Sequence, residues 1–307
     1  MSTPTETTGA GATRRAREEH SEKVWTVLEL LRWTADYFAS KGIETARLDA
    51  ECLLAHVLSV DRLRLYLDFD KPVNEAERAA YRELVRRRGS ERVPIAQITG
   101  VREFWSLPIR ITPAVLSPRP ESETLVAAAL ELLPDPEAPA RVLEIGTGSG
   151  ALALALASER PRLRITATDI SPAALAVALG NAEGLGVAER IRFLPGDLFA
   201  PVQSERFDLI VSNPPYVAES QRGSLPPELA HEPAAALFGG ADGLALLEPL
   251  VRAAREHLEA GGGLAVECAP PQADRVAGWC REAGFHSVTK RRDLAGRDRV
   301  VAARGGG

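Results

Sequence analysis

The sequence predicts an α/β protein in which a mostly parallel sheet is wound with helices on both faces and is preceded by a small helical bundle. Before residue 93, apolar residues recur at the spacing of amphipathic helices. After residue 93, short apolar segments of strand length alternate with longer stretches rich in alanine and leucine. That alternation is typical of a doubly wound sheet, in which each helix crosses between two parallel strands.

Composition limits the possible functions. The chain has 307 residues, of which 45% are hydrophobic and 26% charged, enough for one large or two modest domains. No apolar run approaches the roughly 20 residues of a membrane span, so no membrane partner is expected. The three cysteines have no metal-ligand spacing, which predicts a reduced, cytoplasmic setting and no metal. A net charge of -5 argues against direct binding of nucleic acid through phosphate contacts.

The first 92 residues divide into a tail and a helical domain. Residues 1–22 lack the apolar core of a signal peptide, and their polar composition predicts a disordered tail. In the predicted helical domain, residues 23–92, a second helix spans 48–58 and a third begins at Asn74, whose side chain can form a capping box with Glu77. The first helix has its apolar positions at Val24, Val27, Leu28, Leu31, Ala35 and Phe38.

The helical domain has balanced charge. Between residues 23 and 92 there are 13 Lys or Arg and 12 Asp or Glu residues, so no general basic face is expected. The run Arg86-Arg87-Arg88 at the end of the third helix is interpreted as a solvated helix end rather than a contact for an acidic partner.

A connector over residues 93–120 leads into the α/β domain, residues 121–304. Its Phe104-Trp105 pair and the prolines that follow predict a hairpin or strand pair. Five strands are predicted in the domain that follows, at residues 141–145, 164–168, 190–194, 207–211 and 263–267.

A glycine-rich turn follows the first of these strands. In the segment Glu144-Ile-Gly-Thr-Gly-Ser-Gly150, the glycines allow backbone N–H groups to approach a ligand at the start of a helix. The turn alone is also compatible with a dinucleotide, because its glycines and the following Ala151 fit the pattern G-x-G-x-x-G/A. Asp169 and Asp197 follow the next two strands, where they can accept hydrogen bonds from a ribose and from an adenine amino group. These positions predict an adenosine-bearing ligand.

The fourth strand leads into the segment Ser212-Asn-Pro-Pro-Tyr-Val217. Pro214 and Pro215 have no N–H, so the segment offers hydrogen-bond acceptors, namely the Asn213 side-chain oxygen and main-chain carbonyls, with the Tyr216 ring as a wall. Such a site suits a planar –NH2 group. Hydride transfer by a nicotinamide has no need of these acceptors. Methyl transfer from S-adenosylmethionine to a nitrogen does.

Taken in order, the motifs resemble those of the protein-(glutamine-N5) methyltransferases of peptide chain release factors, the PrmC/HemK family. The resemblance runs from about Val24 to Ala303 and implies a Rossmann-like, class I S-adenosylmethionine-dependent methyltransferase domain behind a helical substrate-recognition domain. Besides the glycine loop and Asn213–Tyr216, the similar segments are Arg47–His56, Arg92–Gly100, Arg102–Trp105, Pro118–Glu121, Glu232-Pro233, Gly239–Leu244 and Asp293–Arg297. The departures are Glu144 in place of Asp, Gln97 in place of Tyr, and Cys268–Gln272 in place of a Glu-x-Gly-x-x-Gln-like segment.

The resemblance implies a role for each motif residue. Asp169 should hold the ribose of S-adenosylmethionine, and Asp197 with Leu198 should hold its adenine. Asn213 should touch the cofactor and, with the Pro214 carbonyl, accept both N–H bonds of a substrate glutamine amide, which makes both residues catalytic. Pro215 and Tyr216 should line the substrate site, and Tyr216 is counted as catalytic. The methionine and ribose part of the cofactor is expected at Gly146, Thr147, Gly148, Ser149 and Gly150.

The substrate implied by the resemblance is the glutamine of the Gly-Gly-Gln motif in class 1 peptide chain release factors, and the enzyme is expected to act as a monomer. Three alternatives remain open from the residues themselves. A ribosomal-protein glutamine methyltransferase would share the acceptor site. An adenine-N6 DNA methyltransferase would share it too, but would need a surface for the flipped-out base and the duplex. A cofactor-binding protein without activity would need the glycine loop only.

Overall fold

The computed structural model describes residues 24–306, so the tail predicted over residues 1–22 lies outside the described residues. The chain begins with five helices: α1 (Val27–Ser40), α2 (Ala46–Leu58), α3 (Arg62–Leu67), α4 (Glu75–Gly89) and α5 (Ile95–Thr99). Strands β1 (Val101–Phe104) and β2 (Leu107–Arg110) form the predicted hairpin. The remaining elements are α6 (Glu123–Leu132), β3 (Ala140–Ile145), α7 (Ala151–Glu159), β4 (Leu163–Asp169), α8 (Pro172–Gly184), β5 (Ile191–Pro195), β6 (Phe207–Ser212), α9 (Ala234–Leu237), α10 (Leu247–Ala254), β7 (Leu258–Glu267), α11 (Ala273–Glu282), β8 (Phe285–Arg292) and β9 (Asp298–Gly305).

Capping boxes set the starts of α1 and α4. Asn74 and Glu77 exchange side-chain and backbone hydrogen bonds of 2.9 Å each, as predicted. Thr26 and Glu29 make the same reciprocal pair at α1. Each pair satisfies two donors that would otherwise lack a partner. Val24, predicted to lie on the apolar face of the first helix, precedes α1 and is 63% exposed. The buried face of α1 consists of Val27, Leu30, Leu31, Thr34 and Phe38.

The sequence did not predict helices α3 and α5. In α3 the sequence Arg-Leu-Arg-Leu-Tyr-Leu places a leucine at every second position, which is the pattern typical of a strand. Leu65 is buried, whereas Leu63 and Leu67 are 73% and 70% exposed. Helix α5 is a single five-residue turn that begins after Pro94 and ends at Gly100, whose φ of +77° suits glycine.

The seven-stranded sheet has the order β5-β4-β3-β6-β7-β9-β8. Strands β5, β4, β3, β6 and β7 are parallel, and β9 and β8 are antiparallel additions at one edge. All five predicted strands are present within one to five residues of the predicted bounds. The sheet is therefore mostly parallel, as predicted, with an antiparallel pair that the prediction lacked.

Neighbouring residues of the central strands face opposite sides of the sheet. Val142 and Leu209 belong to one apolar core, which includes residues of α6, α7 and α8, whereas Leu143 and Ile210 belong to the other, which includes residues of α10 and α11. Both faces are thus covered by helices, which confirms the doubly wound arrangement. The helical domain has a third core of its own that extends past α4 to Val93 and Ile98.

The helical domain is tied to the α/β domain by a buried arginine. Arg88, interpreted from the sequence as part of a solvated helix end, has a side chain only 8% exposed, and it pairs with Asp49 at 2.7 Å and with Glu228 at 2.8 Å. Arg92 also pairs with Glu228, at 2.7 Å. The interpretation was wrong for Arg88 because its partners lie 39 and 140 residues away along the chain, beyond the reach of local pattern. Arg86 behaves as predicted, with a side chain 52% exposed.

Among residues 24–306, no helix is both long and apolar enough to cross a bilayer. The same residues contain no group of three or more His, Cys, Asp or Glu side chains arranged to hold a metal ion.

Candidate active site

A cavity of about 270 Å³ opens at the carboxyl ends of the parallel strands. Strands β3, β4 and β6 are neighbours in the sheet, so the segments that follow them meet at one edge. Ligands of doubly wound sheets bind in this position. Among the predicted site residues, the cavity is lined by Gly146, Thr147, Gly148, Ser149, Asp169, Asp197, Leu198, Asn213, Pro214 and Pro215.

The glycines of the loop after β3 have different structural roles. Gly146 and Gly148 have φ values of +74° and +54°, and a Cβ built on either would meet no atom within 4 Å. Their backbones therefore border open space where a ligand can approach. Gly150 also has a positive φ, +82°, but a Cβ there would lie 3.1 Å from the Cβ of Ala178 on α8. Gly150 is not one of the described residues that line the cavity. Its lack of a side chain permits close packing of α7 against α8.

Asp169, the last residue of β4, fastens the glycine loop. One carboxylate oxygen accepts a hydrogen bond from the Gly148 N–H at 2.8 Å, and the other accepts one from the Ser171 N–H at 2.9 Å. Each oxygen keeps a further lone pair for a ligand, because a carboxylate can accept about four hydrogen bonds. Asp169 is thus placed to shape the loop and to accept hydrogen bonds inside the cavity.

Glu144 is a buried acid beneath the same loop. It is 3% exposed, and the Thr147 hydroxyl donates to its carboxylate at 2.7 Å. Burial raises the pKa of Glu144 to about 8, and the hydrogen bond from Thr147 opposes this rise. The sequence analysis noted Glu144 only as a departure from the Asp of the family, and the structure places it in the cavity lining.

The turn after β5 presents Asp197 and Leu198. Leu198 has a positive φ of +44°, and Gly196 before it is packed so tightly that an added Cβ would lie 2.3 Å from Pro201. Asp197 is exposed and Leu198 is partly buried, so a polar and an apolar side chain lie together at one end of the cavity. Ile170, which the sequence analysis did not select, also lines the cavity while 68% exposed. The sequence signal that could have identified Ile170 is its position, as a large apolar residue directly after the acid that ends β4.

The titratable side chains that line the cavity in the described part of the chain are all acids. Glu144, Asp169 and Asp197 are acidic, and in the described part of the chain no Lys, Arg or His side chain lines it. A dinucleotide pyrophosphate would face these acids without a compensating cation. A ligand with a sulfonium and an ammonium group is favoured by them. The open glycine backbone, the strand-end acceptors and the apolar Leu198 and Ile170 therefore fit S-adenosylmethionine.

The segment after β6 forms the opposite wall. Asn213 Nδ2 donates to the hydroxyl of Ser122 at 3.1 Å, which leaves its Oδ1 as an acceptor beside the cavity. Pro214 is buried and Pro215 is partly buried. Ser122 lies in the short helical turn Pro120–Ser122 just before α6, 91 residues earlier in the chain than Asn213, and the sequence analysis missed it.

Tyr216 points behind this wall rather than into the cavity. Its hydroxyl donates to Glu267 Oε1 at 3.0 Å, and Tyr216 is not among the described residues that line the cavity. Burial, followed by the negative charge of Glu267, raises the pKa of the Tyr216 phenol. The structure thus brings Asn213, Pro214 and Pro215 together at the cavity and leaves Tyr216 outside it.

Glycine and glutamine residues hold the backbone of the segment. A Cβ on Gly243 would lie 2.2 Å from the Tyr216 carbonyl oxygen, and one on Gly239 would lie 2.3 Å from that of Pro215. Gln272 Nε2 donates to the same Tyr216 carbonyl at 3.0 Å. Although Cys268–Gln272 departs from the family pattern, its final glutamine makes this contact.

A buried glutamate fixes the far rim of the cavity. Glu232, whose side chain is fully buried, forms an ion pair with Arg119 and accepts a hydrogen bond from the Ser117 N–H at 3.3 Å. Burial raises the pKa of Glu232, and Arg119 counteracts the rise. These contacts anchor the chain just before Pro233, which lines the cavity.

Comparisons with known proteins agree with this geometry. A family model described as the PrmC N-terminal domain matches residues 29–100, and one described as the methyltransferase small domain matches residues 124–272. A release factor glutamine methyltransferase from Geobacter sulfurreducens is 45% identical over 92% of this chain and 98% of its own length. One from Rhodopirellula baltica is 42% identical over 93% of this chain and 98% of its own length.

Among solved structures, the catalytic domain of hMettl16 matches 76% of this chain and 82% of its own, with a TM-score of 0.53 and 15% identity. At that identity the match supports the fold alone, which is Rossmann-like.

Proposed function

Because this chain belongs to the release factor glutamine methyltransferase family, we propose that it methylates the side-chain amide nitrogen (N5) of the glutamine in the Gly-Gly-Gln motif of class 1 peptide chain release factors. The methyl donor is S-adenosylmethionine. The observation that carries the proposal is the Asn213 side chain, whose nitrogen is held by Ser122 so that its oxygen remains an acceptor at the cavity wall.

The cofactor, when bound, supplies a methyl group on a positively charged sulfur. The glycine loop from Gly146 to Ser149 would border its methionine part, and Asp169 would accept hydrogen bonds from its ribose. Asp197 and Leu198 would hold the adenine. Asp169 and Asp197, and Glu144 in its ionised form, favour a cationic ligand, because the described lining contains no Lys, Arg or His side chain.

Asn213 and Pro214 would orient the substrate. An amide nitrogen is a poor nucleophile because its lone pair is delocalised. Two acceptors, the Asn213 Oδ1 and the Pro214 carbonyl, would bind both N–H bonds and turn the nitrogen lone pair toward the methyl group. Orientation of this kind can lower a barrier by up to about 7 to 11 kcal/mol in favourable cases. The buried Pro214 would also keep water away from the nitrogen.

We also propose the helical domain, residues 23–92, as the main recognition surface for the release factor. The two glycines of the substrate motif have no side chains, so the motif can enter a narrow site but offers little to bind. Most affinity must then come from contacts outside the cavity. Support for this assignment comes from Arg88 and Arg92, which connect the helical domain to Glu228 on the segment that follows the Asn213 wall.

Labelled S-adenosylmethionine tests the proposal. Purified protein is incubated separately with a class 1 release factor, ribosomal proteins and duplex DNA, and the labelled residue is identified by mass spectrometry. We expect label on the glutamine of Gly-Gly-Gln, none when that glutamine is replaced by alanine, and far less when the enzyme carries Asn213→Ala. Label on a ribosomal-protein glutamine or on adenine would replace the proposal with the corresponding alternative.

A further inference from the structure

The side-chain amide of Asn213 has two ends that differ in chemistry but hardly in shape. Oδ1 can accept an N–H bond from a substrate amide, whereas Nδ2 can only donate. If the amide turned by 180°, two N–H groups would face each other and substrate binding would be lost. The orientation of this one side chain therefore decides whether the cavity can accept an –NH2 group.

Ser122 holds the nitrogen end, but a hydroxyl alone cannot specify the orientation. Its oxygen accepts from Asn213 Nδ2 at 3.1 Å. The same hydroxyl could donate to Oδ1 if the amide were reversed, because serine is both donor and acceptor. Ser122 selects one orientation only if its own proton is engaged by another acceptor.

Glu267 is placed to be that acceptor. It ends β7, next to β6 in the sheet, and it is completely buried. Its Oε1 accepts the Tyr216 hydroxyl at 3.0 Å, and its Oε2 has no hydrogen-bond partner among residues 24–306. Burial raises the pKa of Glu267, and the nearby hydroxyls of Ser122 and Tyr216 lower it. The buried Oε2 is therefore the free acceptor on this carboxylate, and Ser122 is among the groups that lower its pKa.

Charged groups on neighbouring elements also face Glu267. The guanidinium of Arg299 on β9 lowers the pKa of Glu267, and Glu121, beside Ser122, raises it. Arg299 is itself buried and contacts Asp293 at 3.4 Å. Burial has the largest effect and raises the pKa of Glu267, while Arg299 and the two hydroxyls oppose that rise and favour the ionised form.

We propose that Ser122 and Glu267 are positioning residues that fix the Asn213 amide with Oδ1 toward the cavity, and that Tyr216 acts through Glu267 rather than on the substrate. In this arrangement Ser122 accepts from Asn213 Nδ2 and Tyr216 donates to Glu267 Oε1, and the proposed link is donation by the Ser122 hydroxyl to the unpaired Glu267 Oε2. The inference rests on the proposed methyl transfer to an amide nitrogen.

Matched variants of Ser122 test the first link. Ser122→Ala leaves the amide free to turn, so kcat should fall on the order of 10- to 100-fold while the affinity for S-adenosylmethionine is retained. Ser122→Thr keeps the hydroxyl and should restore most of the lost kcat. Unchanged kcat in Ser122→Ala would overturn the proposal. A Ser122→Thr enzyme as slow as Ser122→Ala would overturn it too, since packing and not the hydroxyl would then matter.

Tyr216→Phe tests the second link without disturbing the buried acid itself. Loss of the phenol removes a donor from Glu267 and so raises the pKa of Glu267. Because the proposal needs the ionised carboxylate, kcat at saturating cofactor should fall as pH is lowered, and this fall should begin at higher pH in Tyr216→Phe than in the parent enzyme. A fall in kcat that begins at the same pH in both enzymes would contradict the proposal. Glu267→Gln, if it folds and binds cofactor, should have a low kcat at every pH, without the decrease that the parent enzyme shows as pH is lowered.

A measurement without substrate separates this inference from the proposed function. In 15N-labelled protein, the Asn213 side-chain NH2 signal is identified by its absence in Asn213→Ala. The proposal predicts slow hydrogen exchange for this group in the parent protein, faster exchange in Ser122→Ala, and recovery in Ser122→Thr. Equal exchange in all three would overturn the positioning role, whatever substrate the enzyme methylates. If the label in the substrate test appears elsewhere, the proposed function fails while this result stands.

Discussion

The two walls of the cavity are built from different ranges of the chain. On the cofactor wall, Glu144 contacts Thr147 three residues away, and Asp169 contacts Gly148 and Ser171 at separations of 21 and two residues. On the substrate wall, Asn213 contacts Ser122 across 91 residues and Tyr216 contacts Glu267 across 51. The hydrogen bonds of the glycine loop and Asp169 lie between β3 and the turn after β4, with Asp197 and Leu198 added from the turn after β5. The substrate wall requires the turn before α6 and strand β7 to be in place.

The difference teaches how binding and catalysis are separated in this fold. The glycine-loop part of the cofactor wall can form when β3, α7 and β4 pack, because its hydrogen bonds lie between β3 and the turn after β4. The substrate wall depends on contacts that exist only in the complete domain. A substitution in the cofactor wall should therefore weaken cofactor binding, and one in the substrate wall should slow methyl transfer, with little effect on the other property. Four experiments test this expectation.

Asn213→Ala should have the largest effect. It removes the substrate acceptor, so kcat/KM for the release factor should fall on the order of 100-fold or more, because misplacement of the reacting atoms carries a cost of that size. The affinity for S-adenosylmethionine, measured by calorimetry, should change little. Loss of cofactor binding in Asn213→Ala would show that the two walls are not independent.

Asp169→Ala should affect the opposite wall. The variant loses hydrogen bonds to a charged acceptor, each worth about 1.5 to 3 kcal/mol, and it frees the Gly148 N–H that shapes the loop. The Kd for S-adenosylmethionine should rise accordingly, whereas kcat at saturating cofactor should be affected less. Asp169→Asn, which keeps one acceptor oxygen but replaces the other with an NH2 donor, serves as the control and should be intermediate. Unchanged cofactor affinity in Asp169→Ala would refute the assignment of this wall.

Glu144 should make cofactor binding depend on pH. Since burial raises the pKa of Glu144 to about 8, much of the free protein carries it protonated at neutral pH. A cationic ligand favours the ionised form, so affinity should increase as pH rises toward 8, by at most about tenfold per pH unit. Calorimetry across this range in Glu144→Gln should show a weaker dependence. An affinity that falls with rising pH in the parent enzyme would contradict the electrostatic argument.

Glu228→Gln should have the smallest effect and should act on the substrate wall. The change weakens the contacts with Arg88 and Arg92, so the free energy of unfolding should fall by about 1.5 to 3 kcal/mol and KM for the release factor should rise. Cofactor affinity should be retained. The control is Glu219→Gln on the same segment, whose ion pair with Arg222 is exposed and should contribute about 0 to 1 kcal/mol. Equal effects of the two variants would remove the special role of the Arg88 contact.

Local pattern was sufficient for most of the fold. The capping box at Asn74 and the five parallel strands were predicted because a few neighbouring residues determine each of them. Helix α3 was missed because its letters alternate like a strand, although only Leu65 is buried. Strand β8 was missed because it lies at the sheet edge and only Phe285 on it is fully buried, which leaves little apolar pattern to recognise.

Some residues of the candidate site could likewise be predicted from local sequence, and others could not. Gly146, Gly148 and Asp169 could be selected from spacing because the contacts of the cofactor wall lie within one short unit. Ser122 and Glu267 could not, since each gains its meaning from a partner that only the folded chain brings near. Gly150 and Tyr216 were selected with their motifs but lie outside the described cavity lining, so their assigned contacts with ligands stay predictions.

The two prolines after Asn213 have a consequence for the disorder that the chain loses on folding. A proline ring restricts φ in the unfolded chain as well as in the folded one, so Pro214 and Pro215 surrender less conformational entropy than other residues would. The loop that carries the acceptors is consequently rigid before any substrate arrives. A glutamine amide that enters the cavity meets acceptors already in position, and little of its binding free energy is consumed in ordering them.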